Sequence, residues 1–155
     1  MLFRSGVARI VPVLSQRSVV RLDKAQAESK AIHWRAVAVS ACEQCGRNRL
    51  PVIEAARPLL NYLGESAPGA RLRLVLEPES APLAAAAGHG PVGASGPEVV
   101  DAEIAIGPEG GFAPDELEAF RVAQFSPVGL GPRVLRTETA AIAALVWLQV
   151  RFGDM

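Results

Sequence analysis

The chain has 155 residues, half of them hydrophobic, with 16 basic and 16 acidic side chains and a formal net charge of zero. That length holds one ordinary globular domain with a single core, and the neutral balance excludes the strongly basic character that would by itself announce nucleic-acid binding. No run of about 18 uncharged apolar residues appears and the first residues lack the basic-then-apolar order of an export signal, so a soluble, cytoplasmic protein with no membrane partner is expected.

Gly6 to Ser15 reads as a buried strand carrying Val7, Ile10, Val11 and Val13, and Ser18 to Leu22 as a second short extended piece. Asp23 is placed to cap a long helix running toward Gln44, with Gly46 positioned to stop it. A polar turn, Arg47-Asn48-Arg49, leads to a segment opened by Pro51 whose later part, Pro58 to Leu63, reads as helical. Arg71 to Leu76 is the next strand. Pro82 to Gly96 is an alanine- and glycine-rich loop with at most one helical turn at Leu83 to Ala87. Ala102 to Ile106 is a strand ended by Gly107. Pro114 followed by Asp115 and Glu116 signals a helix to about Ala123. Val128 to Leu130 reads as a short buried strand, and Thr137 to Phe152 as a last helix closed by Gly153. Strands alternating with helices predict a parallel, helix-covered α/β sheet.

Cys42 and Cys45 form a C-x-x-C near the end of a helical pattern. A redox pair belongs at a helix start, and a tetrahedral zinc site needs more ligands than two cysteines, so ordinary reduced thiols are expected and no metal is assigned. The cations are nearly all arginine, with lysine only at Lys24 and Lys30. Arginine suits planar phosphate and base contacts, although GC-rich coding produces the same bias.

Two stretches carry chemistry. Ile104 to Leu117 runs from a buried strand through Gly107-Pro108-Glu109-Gly110-Gly111 into a helix start, where ligands of open α/β sheets bind. No P-loop lysine follows, and Glu109, Asp115 and Glu116 would repel an anion, so phosphate is disfavoured. A bare strand-to-helix turn is the competing reading. Val128 to Ala140 again ends a strand in glycines, but its loop carries Arg133 and Arg136 before a helix capped by Thr137. A site at the helix entry and a plain capping arrangement with a solvated Arg136 are both open from spacing alone. Leu74 to Pro78 supplies a third strand end, bearing Glu77.

I-G-P-E-G-G-F at Ile106 to Phe112, with L-G-P-R-V-L-R-T-E-T-A at Leu130 to Ala140, resembles the paired signature of the RsmE-type methyltransferases of the SPOUT superfamily. E-Q-C-G-R-N-R at Glu43 to Arg49, with Pro51, and Leu76 to Pro78 match in the same order. The resemblance implies a parallel α/β sheet with a C-terminal trefoil knot, incomplete at the N-terminus. It implies methylation of N3 of a uridine in small-subunit (16S) ribosomal RNA, with S-adenosylmethionine as cofactor. A module that binds RNA without methylating it is the alternative.

By position, the resemblance assigns Leu76, Glu77, Gly107, Glu109, Gly110, Gly111, Leu130, Gly131 and Leu135 to the cofactor, and a bulky side chain at Gly110 is expected to obstruct it. Arg136 is expected to hold the uridine or its phosphate and Glu138 to orient groups or accept a proton. Arg47, Arg49, Arg133 and Arg136 are candidate RNA contacts, with a surface helix end as the other reading of Arg47 and Arg49. Methyl transfer from a sulfonium needs no metal; positioning and electrostatics supply the catalysis. Residues 1–5 read as a non-native start, residues 6–155 as a partial SPOUT domain, and the family's N-terminal PUA-like domain is not recognised. A homodimer is implied, since the last helix offers Ile142, Leu145, Val146, Trp147, Leu148 and Phe152, more apolar positions than one core-facing stripe needs. A helix buried on several sides within one domain is the alternative.

Overall fold

The computed structural model describes residues 6–18, 23–65, 72–83 and 101–152. The segment expected as one buried strand is instead two short, half-buried strands, β1 (Arg9–Ile10) and β2 (Val13–Leu14). Pro12 lies between them and has no N–H for a ladder, which divides the segment. β1 pairs in parallel with β3 (Val52–Ile53), and β2 with β4 (Arg57–Pro58). Neither β3 nor β4 was expected from sequence. The earlier part of the Ser18 to Leu22 piece closes a turn, with the Ser18 amide donating to the Ser15 carbonyl at 3.1 Å, and its residues 19–22 lie outside the described residues.

Helix α1 (Lys24–Cys45) runs as expected from Asp23 to Gly46. Asp23 accepts from the Gln26 amide while the Gln26 side chain accepts from the Asp23 amide, so each end of this reciprocal cap satisfies an orphan donor. Gly46, at φ 72°, turns the chain out of the helix in a left-handed conformation. The buried face of α1 is made of small side chains, Ala27, Ala31, Ala38 and Cys42. Arg35 anchors the helix by donating to the Ile53 carbonyl at 2.9 Å. Cys42 is buried, Cys45 exposed, and both are free thiols.

The main sheet has the order β6-β5-β7, all parallel, from β5 (Leu72–Leu76), β6 (Ala102–Ala105) and β7 (Ser126–Val128). β7 begins before the Val128 to Leu130 expected; Gly129 extends it through a single parallel bridge to Pro82. The central strand alternates its side chains between two cores. Val75 joins Leu59 and Leu63 of α2 (Leu59–Glu65) with Phe120 of α3 (Pro114–Val122), Phe112 and Phe125. Leu74 joins Leu83, Val128 and Ala144 of α4 (Thr137–Phe152), with Trp147 and Leu148 packed alongside. Helices therefore cover the sheet on both faces, as the alternation of elements predicts. The Ala84 to Gly96 part of the low-complexity loop and Gly153 lie outside the described residues.

Candidate functional site

Strands that run parallel end together, so the loops after β5, β6 and β7 meet at one edge of the sheet. A cavity of about 280 Å³ lies between them. Leu76, Glu77 and Pro78 contribute from the first loop; Ile106, Gly107, Pro108, Glu109 and Gly111 from the second. Val128, Leu130, Arg133, Val134, Leu135 and Arg136 come from the third, and Thr137 and Ala140 from the start of α4. Ile106, Leu76, Leu130 and Leu135 give apolar walls, Glu77 and Glu109 acids, and Arg133 and Arg136 exposed cations.

Each loop has a physical reason for its shape. Pro108 to Gly111 is a turn in which the Gly111 amide donates to the Pro108 carbonyl at 2.8 Å, with Gly111 at φ 67°. After β5, the chain turns at Glu77 to Ser80 and then pairs with the end of β7: the Gly129 amide donates to Ala81 and the Leu83 amide to Gly129, both at 2.8 Å. The crossing is so close that a Cβ on Gly129 would lie 2.7 Å from the Ser80 carbonyl oxygen. Thr137 is the first helical residue of α4, and its hydroxyl goes to the Gly107 carbonyl at 3.3 Å, not to an amide of its own helix. That corrects the expected capping role.

The structure thus gathers Leu76, Glu77, Gly107, Glu109, Gly111, Leu130, Leu135, Arg133 and Arg136 around one cavity. It leaves four positions of the same loops and helix differently placed. Gly110 lies outside the lining, where a Cβ would meet the Arg17 side chain at 3.5 Å, and Gly131, at φ 102°, serves the turn itself. Glu138 is exposed and also outside the lining, as is Gly129, buried in the crossing. Arg47 donates to the Gly6 carbonyl at 3.4 Å, at the start of a segment whose far end, Arg17, touches Gly110. Neither Arg47 nor Arg49 is among the residues that line the cavity. Val134 and Thr137 lacked a sequence signal of their own, since neither a lone apolar residue nor a helix-start threonine marks a site.

A family model described as an RNA methyltransferase domain matches residues 1–149. The chain belongs to the RNA methyltransferase domain family. Similar members include the ribosomal RNA small subunit methyltransferase E of Buchnera aphidicola, 34% identical over 97% of this chain and 57% of its own length. The protein of the same name from Mycobacterium tuberculosis is 38% identical over 83% of this chain and 48% of its own. A Legionella pneumophila protein solved with bound SAM matches at 38% identity and a TM-score of 0.82, over 99% of this chain and 59% of that one. Ribosomal RNA small subunit methyltransferase E from Neisseria gonorrhoeae, solved with S-adenosyl methionine, matches at 30% identity and a TM-score of 0.76, over 96% and 56%. The chain spans a little over half the length of the first of these relatives. The α/β fold with parallel strands is thus that of family members solved with S-adenosylmethionine. Among the described residues no helix is long and apolar enough to cross a membrane.

Proposed function

We propose that this domain binds S-adenosylmethionine in the cavity between the β5, β6 and β7 loops and serves the methylation of N3 of a uridine in small-subunit ribosomal RNA, in the cytoplasm. The convergence of the three loops on one cavity carries this reading. Its 280 Å³ is close to the lower end, about 300 Å³, of small-molecule pockets. Apolar walls suit an adenine ring, and the lining sets the acids Glu77 and Glu109 with the cations Arg133 and Arg136, charges of both signs that suit a ligand carrying a sulfonium, an ammonium and a carboxylate.

When bound, S-adenosylmethionine supplies an electrophilic methyl group on a sulfonium. Glu77 and Glu109, both in the lining, would supply negative charge to a cation held in the cavity. Arg133 and Arg136, exposed in the cavity lining, would hold the RNA phosphate and stabilise negative charge developing on the uracil ring. Glu138 stands outside the lining, which makes Arg136 the stronger catalytic candidate of the two. The threaded, knotted C-terminal segment that the resemblance implies is part of the same proposal.

A homodimer is part of the proposal, supported by Val146 and Val150, which remain 41% and 46% exposed on α4. Trp147 packs into the core and edge-on to Phe152, so Val146→Glu is the cleaner probe of the interface. Calorimetric titration with S-adenosylmethionine, and with ATP as control, tests the central reading. Saturable binding of the first and none of the second is expected; a folded chain that binds only ATP, or neither, overturns it.

A further inference from the structure

The cavity loops are held from outside by a buried carboxylate that the chemistry above does not use. Glu116, on the first turn of α3, is 2% exposed, and its two oxygens serve two different segments. Oε2 accepts from the Ala113 amide at 2.8 Å, closing the loop that follows β6. Oε1 accepts from the Gln16 amide, also at 2.8 Å, on the turn after β2. The next residue of that turn, Arg17, donates from Nη1 to the Gly110 carbonyl at 2.8 Å, between the cavity-lining Glu109 and Gly111. The turn is itself braced, with the Ser15 amide donating to the Ser18 hydroxyl at 3.2 Å and the Gln16 side chain on the Asp115 carboxylate.

We infer that Glu116 and Arg17 are positioning residues for the cofactor, fastening the N-terminal turn to the Gly107–Ala113 loop so that its main-chain groups are preorganised for the ligand. Only an ionised carboxylate offers acceptors at both ends; a carboxamide presents an NH2 to one of the two amides, donor against donor. Hydrogen bonds to a buried charged group are the strong ones, so losing this link loosens the loop more than an ordinary contact would. The inference rests on the cofactor reading above, because it names what sets the shape of that same site.

The test combines S-adenosylmethionine affinity with amide hydrogen exchange on the chain and three variants. Glu116→Gln is expected to weaken the cofactor roughly tenfold or more and to speed exchange over residues 107–113 and 15–18, while β5 stays protected. Arg17→Ala, at an exposed position, is expected to weaken the cofactor several-fold with an unchanged thermal midpoint, and Arg17→Lys, which keeps one donor, to restore much of it. Should Glu116→Gln not fold, the arginine pair decides. Unchanged affinity in Arg17→Ala, or a lysine variant no better than alanine, overturns the inference, as does unchanged exchange at residues 107–113 in a folded Glu116→Gln. If the unaltered chain binds no S-adenosylmethionine, the cofactor reading fails, and faster loop exchange in Glu116→Gln still establishes the clamp.

Discussion

Thr137 donates its hydroxyl to the Gly107 carbonyl across the cavity, fastening the loop that enters α4 to the loop that leaves β6. Thr137→Val is expected to cost about 1 kcal/mol of cofactor binding, near fivefold, with little change in folding. Thr137→Ser keeps the hydroxyl and should bind as the unaltered chain does. Calorimetry on the three proteins checks the order.

Three glycines of the loops should differ sharply when replaced by alanine. At Gly129 the new Cβ meets backbone at 2.7 Å, so the crossing must open; a loss of about 3 kcal/mol in stability, and of cofactor binding, is expected. At Gly107 it lies 3.1 Å from the ring of Phe112, which is held in the core against Phe120, and about 1–2 kcal/mol is expected. At Gly110 it meets only ordinary contacts with Arg17, and the change should stay within about 0.5 kcal/mol. Urea denaturation of the three variants tests this ranking.

Arg136→Ala should leave the thermal midpoint unchanged, since the side chain is exposed, yet lower methyl transfer on the order of 100-fold in a protein competent for it. Unchanged turnover on ribosomal RNA would remove Arg136 from the mechanism.

Arg73, buried on β5, binds Glu103 at 3.0 Å and the Ala123 carbonyl at 2.7 Å, and lies 4.2 Å over the Phe125 ring. Arg73→Met removes the ion-pair partner of the half-buried Glu103 carboxylate, which keeps its hydrogen bond from the Tyr62 hydroxyl, and leaves the Ala123 carbonyl without this donor; it should destabilise the fold by about 2 kcal/mol in denaturant titrations.

Glu118 on α3 donates nothing to the core but pairs with Arg121, whose hydrogen bond holds the Glu118 carboxyl below its usual range. A lowered carboxylate contributes stability above its unfolded-state value and loses it as pH falls through the folded one. Both groups are fully exposed, so that contribution is small: Glu118→Gln should lower neutral-pH melting barely if at all, match the unaltered chain at pH values where the carboxyl is protonated, and make the acid-side fall of a pH–stability profile slightly shallower.

The elements with local signals were legible in the sequence: Asp23 and Gly46 bracket α1, Pro114 starts α3, and the apolar runs of β5 and β6 stand where periodicity puts them. The cavity was legible too, because Gly107, Glu109, Arg133 and Arg136 fall in loops that parallel strands must bring together. The two-residue strands β3 and β4 were not, since they are defined by partners more than forty residues upstream and carry no alternation of their own. Gly110 shows the same limit inside the site, as spacing gives its loop but not the side on which its α-hydrogens point. The Glu116 link was equally invisible, being a contact between residues a hundred positions apart.

Strand order also dictates when a binding site can exist. The cavity takes its walls from residues as early as Leu76 and as late as Ala140, and β7 must slot beside β5 before its loop can close over them. Because synthesis proceeds from the N-terminus, a nascent chain exposes β5 and β6 well before it owns a pocket. Messages cut short, or products clipped ahead of α4, therefore yield polypeptides that lack part of the cavity wall, and competence arrives only once the start of α4 has been made.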